Sequence, residues 1–432
     1  MICENLGINE LGHLTFAGQD TVRLAEQFGT PLYLMDEERI RKNVRTYREA
    51  LSREFGTRAA VLYAGKACAF TELYRILRSE GAGIDVVSMG ELYTAMKADY
   101  PLKDACFHGN SKTDADLTYA VRAGVGLICV DNEDELFALD RIAGQEGVVQ
   151  EILIRVTPGI DPHTYDAVNT GKVDSKFGNA IATGQAEHIL LAAFGLMNVR
   201  VLGIHCHVGS QVFAEDVFER AADVMLRFMA DIRKKSGETL EMLDLGGGFG
   251  VRYVEDDPVL DIGQKIAEIA DRIRRVCNEL DFPVPYFMME PGRSIVADAG
   301  MTLYTVGSVK RIPGYKSYVA VDGGMSDNPR YALYRSRYTC LAASRMNDPK
   351  AERFSVVGRL CESGDILQEN VPLPSAIARG DVLAVCTTGA YNYSMSSRYN
   401  RLPRPPIVLL NDGNASVAVR RETLEDLTAM DV

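Results

Sequence analysis

Four short stretches of this 432-residue chain carry side chains that packing alone does not explain. In Tyr63-Ala-Gly-Lys66-Ala a lysine follows an apolar run. Burying an ammonium is costly without a partner or a lowered pKa. A desolvated Lys66 is therefore a candidate for a Schiff base with a carbonyl, against the plainer reading of a lysine that reaches solvent. In His205-Cys-His207-Val-Gly-Ser210-Gln the two histidines lie two apart on a strand and share a face. No Asp/Glu/His cluster with ligand spacing accompanies them, so no metal is expected. His207 suits a flat ring lying on an aromatic cofactor, and His205 reads as a core residue. Leu243-Asp-Leu-Gly246-Gly247-Gly248-Phe-Gly250 lets backbone N–H groups approach a phosphate. It lacks both the Walker Lys-Ser/Thr and the G-x-G-x-x-G spacing, which favours one small phosphate. In Glu290-Pro-Gly292-Arg293 a carboxylate can hold a protonated ring nitrogen, and Gly and Arg suit a phosphate or carboxylate. The competing reading of that stretch is an ion pair closing a barrel.

These stretches must be held by something. Apolar runs at 60–64, 84–88, 105–108, 127–131, 152–156, 201–208, 242–246 and 286–290 read as strands buried on both faces. Amphipathic segments at 71–80, 114–122, 133–142, 218–234 and 262–280 read as helices between them. Nearly every run ends in a polar group: Lys66, Asp85, His108, Asp131, Arg155, His207, Asp244 and Glu290. Polar groups at the carboxyl ends of many strands fit a (β/α)8 barrel better than a doubly wound sheet, which gathers them at one switch point. After about residue 295 short strand-like runs punctuated by Gly, Pro and Asn-Asp predict a mainly antiparallel β domain. The expected organisation is a barrel over 32–295, with 1–31 and 296–432 forming the β domain and His13–Ala17 lending it a strand. The β-rich part adds Asp322–Tyr334, Cys361-Glu362-Ser-Gly-Asp365 and Gly389-Ala-Tyr391. Cys361 beside Glu362 joins a titratable thiol to an ammonium binder, although a lone Cys is more often a small core residue.

With Thr170-Gly-Lys-Val-Asp-Ser-Lys176-Phe-Gly178, this ordered set resembles the fold-type III pyridoxal-phosphate decarboxylases over about residues 30–420. The closest resemblance is to the branch acting on meso-2,6-diaminopimelate. It implies pyridoxal 5'-phosphate as cofactor, attached to Lys66, with His207 against its ring and Glu290 at the ring nitrogen. Ser210, Gly246, Gly247, Gly248, Gly292, Arg293 and Tyr391 would surround the phosphate. Arg293, Arg330, Tyr334, Glu362 and Tyr391 would contact substrate, and Cys361 would return a proton to the α-carbon. Asp85, Glu91 and Arg155 would support Lys66 and the ring. In this family Cys361 and Glu362 come from the partner subunit, which implies a homodimer with shared active sites.

The implied reaction is decarboxylation of meso-diaminopimelate to L-lysine and CO2, the last step of lysine biosynthesis. Arginines suit the distal carboxylate of that substrate and Glu362 its ammonium, whereas buried arginines would repel an ornithine-type substrate. Other decarboxylases (carboxynorspermidine, ornithine/lysine, arginine), an inactive regulator, a small cofactor-homeostasis barrel and a metal-dependent barrel hydrolase are the alternatives. Cys68 stands where the family often has Asn, and Arg335 and Arg337 make their stretch unusually basic.

A net charge of −12 and a pI near 5.2 argue against nucleic acid and membrane surfaces as partners. No apolar run approaches the roughly 20 residues of a membrane span, and Met1-Ile-Cys-Glu-Asn shows no export signal. Nine scattered cysteines without a Cys-x-x-Cys pair suit a reducing cytoplasm.

Overall fold

The computed structural model describes residues 1–160, 175–214 and 216–432, so 170–174 of the Thr170–Gly178 motif lie outside the described residues. The chain divides into two compact units: Lys42–Gly250 with Leu260–Ser294, and Met1–Arg41 with Val251–Val259 and Ile295–Val432.

The first unit contains eight parallel strands: β1 (Ala59–Ala64), β2 (Gly83–Val86), β3 (Ala105–Phe107), β4 (Leu127–Val130), β5 (Gln150–Thr157), β6 (Val199–His205), β7 (Met242–Asp244) and β8 (Tyr286–Met289). Each pairs with the next, and β8 pairs with β1, so the sheet closes on itself. All eight expected runs are barrel strands. Closure buries both ends of the row, which explains runs such as Ala-Val-Leu-Tyr-Ala without polar alternation. Leu62, Cys106, Cys129, Leu153 and Met288, from five strands, form one layer of the interior. Helices return the chain between strands. In the helix Thr71–Ser79, Leu73, Tyr74, Ile76 and Leu77 are buried. A Thr113/Asp116 capping box starts Asp114–Ala123, and Asp261 caps Ile262–Leu280. The helices Met89–Lys97 and Gln185–Phe194 are not legible as periodic segments; both have a weak apolar–polar contrast.

The second unit is built on Gly300–Arg311. This long strand pairs antiparallel with Ser317–Val321, Val382–Cys386 and Leu32–Asp36. Two pairings in the sheet are parallel: Leu32–Asp36 with Ile407–Asn411, and Ser317–Val321 with Glu352–Val357. The segment 32–36 is therefore a strand of this sheet and not the opening of the barrel. Leu14–Phe16 belongs to the same unit but pairs with Leu6–Ile8 and Gln19–Asp20 in a small sheet of its own, so the strand lent to the main sheet is 32–36 instead.

Candidate active site

The barrel strands deliver polar groups where their apolar runs stop. After β1 a tight turn, Gly65–Ala67, carries Lys66. Tyr63 Oη donates to the Cys68 carbonyl at 2.8 Å and ties the turn back to its strand; Cys68 itself is buried packing. Gly65 has no room for a side chain, since a Cβ would meet Tyr74 Oη at 2.5 Å and Glu91 Oε2 at 3.1 Å. Lys66 Nζ lies 3.7 Å from Asp85 Oδ2, with Asp85 buried and the Lys66 side chain 40% exposed. The turn sets residue 66 at the end of the strand, with the carboxylate of Asp85 beside it. Glu91 accepts from the Val87 N–H at 2.8 Å. Burial lifts its carboxyl to about 7 against the pull of that amide, and Asp85 adds to the rise.

A glycine cradle faces this turn from β7 and β8. A Cβ on Gly246 would stand 2.8 Å from His207 Nδ1, and one on Gly247 2.1 Å from the Glu290 carbonyl oxygen. On Gly248 it would stand 2.1 Å from the Gly209 carbonyl oxygen, and on Gly292 3.0 Å from Ala64. The Gly246 N–H is committed to Asp244 Oδ1 at 2.7 Å, so this residue contributes shape and not a donor. Arg293, buried, donates from Nη2 to Ser210 Oγ at 2.8 Å, which brings together two segments expected at one phosphate. His207 is half-buried. Burial, with Lys66, Arg155 and His205 nearby, holds its pKa well below the usual imidazole value and keeps the ring neutral. The Arg155 guanidinium lies 4.4 Å from the Phe177 ring centroid. Asn179 Nδ2 donates to the Arg155 carbonyl and the Gly178 N–H to Asp131 Oδ1, which anchors the described end of the motif ending at Gly178.

Below the cradle lies a charged interior. Glu290 Oε1 is 2.5 Å from His108 Nε2, and Glu290 Oε2 is 3.2 Å from His205 Nε2, with all three side chains buried. Burial opposes the charge on Glu290, yet His108 and His205 hold its carboxyl well below the usual range. The imidazoles are raised in turn against their own burial, His108 by Cys106 and Glu290, and His205 by Cys129 and Glu290 to about 9. Asp244 is pushed up by burial and by Glu290. No Asp/Glu/His cluster with ligand spacing accompanies His205 in the sequence, yet the fold assembles one. His205, Asp244 and Glu290, and likewise His108, Cys129 and His205, bring their polar atoms within 4.8 Å of one another. These groups lie at the ends of strands as much as 290 − 108 = 182 residues apart, so no local spacing announces them. Their opposite charges compensate one another inside the barrel.

The remaining expected residues lie in the β unit. Arg330 is buried, with its guanidinium 5.5 Å from the Tyr334 ring and 5.4 Å from the Tyr391 ring. The structure thus brings these three together. Tyr391 holds a left-handed φ of 61°, and Asn392 fixes that turn by donating to the Thr388 carbonyl at 3.1 Å. Arg335 lies over the Tyr331 ring and Arg337 pairs with Asp257, so the extra basic charge is taken up locally. Cys361 is the one fully exposed cysteine; its N–H donates to Asn400 Oδ1 at 2.7 Å. Glu362 is exposed beside it and accepts from the Gly364 N–H at 3.0 Å. Asp365 pins this loop by accepting from the Leu360 and Met325 N–H groups.

Residues 37–297 match the pyridoxal binding domain of the pyridoxal-dependent decarboxylases. Over nearly its whole length the chain is similar to diaminopimelate decarboxylases. It is 43% identical to that of Halalkalibacterium halodurans, covering 98% of this chain and 96% of the relative. It is 42% identical to that of Bacillus subtilis at the same coverages. The chain belongs to the diaminopimelate decarboxylase family. A crystal structure of the diaminopimelate decarboxylase of M. jannaschii with L-lysine matches with a TM-score of 0.91, at 34% identity, over 99% of this chain and 98% of that one.

As in the family, the cofactor is pyridoxal phosphate, and the barrel interior fits it. Asp85 has two buried oxygens with no hydrogen-bond partner among the described residues, the glycine cradle has no space for side chains, and the donor set combines an amine, a neutral imidazole and a buried carboxylate. Among the described residues no helix is long and apolar enough to cross a membrane. Sequence reasoning named His108 and Asp244 only as strand ends and set His205 aside as core. The signal that could have found them was the shared position at strand C-termini.

Proposed function

We propose that this chain decarboxylates meso-2,6-diaminopimelate to L-lysine and CO2, the last step of lysine biosynthesis. The carrying observation is Lys66 held beside the buried carboxylate of Asp85 at the end of β1, in a chain similar over its whole length to enzymes of this name. Bound pyridoxal phosphate supplies the electron sink that takes up the bonding pair left behind when the carboxylate departs.

The protein's part is to hold, aim and protonate. Lys66 is the amine that binds the cofactor's carbonyl carbon, with Asp85 and Glu91 setting its position and Arg155 bracing the barrel rim. His207, kept neutral, offers a flat face to the ring without placing a positive charge there. Glu290, kept ionised, accepts the ring N–H. Arg293 with Ser210, the backbone at Gly247, Gly248 and Gly292, and Tyr391 take the phosphate, and Gly246 lets them approach. Arg293 and Arg330 match the distal carboxylate, Glu362 matches the distal ammonium, and Tyr334 and Tyr391 pack against the chain between them. Cys361 delivers the proton to the α-carbon. Its exposure, with that of Glu362, supports a homodimer in which each copy lends both residues to the other's barrel. Nine free cysteines support a cytoplasmic location.

The test is Lys66→Ala. The purified variant is expected to lose the visible absorbance of lysine-bound cofactor, and retention of that absorbance would overturn the assignment.

A further inference from the structure

Glu290 sits just beyond β8, and groups from eight other positions in the barrel act on it or on its partners: Asp85, Cys106, His108, Cys129, His205, Cys206, His207 and Asp244. One of these, the Asp244 carboxylate, lies within reach of the Glu290 carboxylate, and both are buried. Like charges so placed cannot both ionise cheaply, so the barrel must favour one. The contacts show which. Both short imidazole approaches, 2.5 Å from His108 and 3.2 Å from His205, go to Glu290. Asp244 spends one oxygen on the Gly246 N–H, and among the described residues no imidazole comes within ion-pair distance of its carboxylate.

We infer that His108 is a positioning residue that, with His205, makes Glu290 rather than Asp244 the ionised member of this carboxylate pair and fixes its orientation. This rests on the reading above that Glu290 accepts the cofactor's ring N–H. A carboxylate oxygen has two lone pairs, so one held by an imidazole can still accept from the ring. The rings of His108 and His205 meet edge to face at 4.7 Å, which leaves each little freedom to swing toward Asp244. Without His108, one oxygen of Glu290 loses its cation, the proton is shared with Asp244, and the carboxyl no longer holds the ring nitrogen protonated.

The experiment is a double-mutant cycle on the holoenzyme with His108→Gln, Glu290→Gln and the pair. It reads kcat, KM, and the pH titration of cofactor absorbance in the resting enzyme without substrate. His108→Gln is expected to lower kcat roughly 10- to 100-fold, the scale of losing a close charged contact on a buried carboxylate, with little change in KM. It should also move the absorbance transition to lower pH. In the Glu290→Gln background the same substitution should change kcat by no more than about two-fold, because the shared interaction is already gone. An equal loss in both backgrounds, or an unmoved absorbance titration in His108→Gln, would overturn the inference and make His108 a packing residue. If Glu290→Gln itself leaves absorbance and kcat unaltered, the ring-nitrogen reading fails; if it alters them and His108→Gln does not, the inference fails alone. Should His108→Gln yield no folded protein by circular dichroism, His205→Gln carries the same cycle on the other oxygen, with the same two outcomes.

Discussion

Gly247→Ala separates the shape of the cradle from its chemistry. The added methyl carbon would lie 2.1 Å from the carbonyl oxygen of Glu290 and 2.8 Å from its carbonyl carbon, where ordinary contact begins near 3.4 Å. The shortfall, 3.4 − 2.1 = 1.3 Å, cannot be met by turning a side chain, because both partners are backbone. The strand end must move, which places the cost at the upper end of overpacking, about 3 kcal/mol, or more than 100-fold in the folding equilibrium. Gly124→Ala is the control. Its φ of 73° is left-handed and nothing lies within 4 Å of the new carbon, so it carries only backbone strain, about 1–2 kcal/mol. Urea unfolding of the apoproteins by far-ultraviolet circular dichroism measures both. Gly247→Ala is expected to lose more stability than Gly124→Ala, and it alone should weaken cofactor affinity at least about tenfold, since moving the Glu290 carbonyl drags its carboxylate. Equal unfolding midpoints for Gly247→Ala and wild type, or cofactor affinity unchanged, would refute a rigid cradle.

Three further outcomes are expected. Lys112 and Glu135 form a buried pair at 2.8 Å, with side chains 2% and 3% exposed; Lys112→Met should cost about 3–5 kcal/mol, and adding Glu135→Leu should recover most of it. Identical urea midpoints for the single and double variants would contradict this. The Glu91 carboxyl is raised from 4.5 to about 7, so between those values the folded protein holds a proton that the unfolded chain has lost. The stability it contributes is present below pH 4.5 and is lost as pH rises through about 7. Glu91→Gln should therefore match wild type at pH 4.5 and exceed it at pH 8, and parallel stability curves would speak against the shift. Cys361→Ala should slow turnover by roughly 100-fold or more, the scale of general acid catalysis, while cofactor absorbance is kept; unchanged turnover removes Cys361 from the proton-donor role.

The barrel was legible because closure gives every strand the same signature, a short apolar run ending in a polar group, and all eight runs, from 60–64 to 286–290, are strands. The strand 32–36 falls inside the expected barrel bounds of 32–295 but belongs to the mixed sheet of the second unit. Lys66, His207, the glycine cradle and Glu290–Arg293 stood out because each is a local motif. The pairing of Glu290 with His108 and His205 is made by closing the sheet, and no local motif encodes it. Arg330 between Tyr334 and Tyr391 was named by resemblance; its contacts depend on the left-handed turn at Tyr391, which no glycine marks.

The most direct test of the account measures CO2 release by the holoenzyme from meso-diaminopimelate, ornithine, arginine, carboxynorspermidine and lysine, with product identified by chromatography. CO2 is expected from meso-diaminopimelate with one L-lysine formed per CO2, and little from the others. Preferential release from ornithine, arginine or carboxynorspermidine, or no release from meso-diaminopimelate by cofactor-loaded protein, would contradict it.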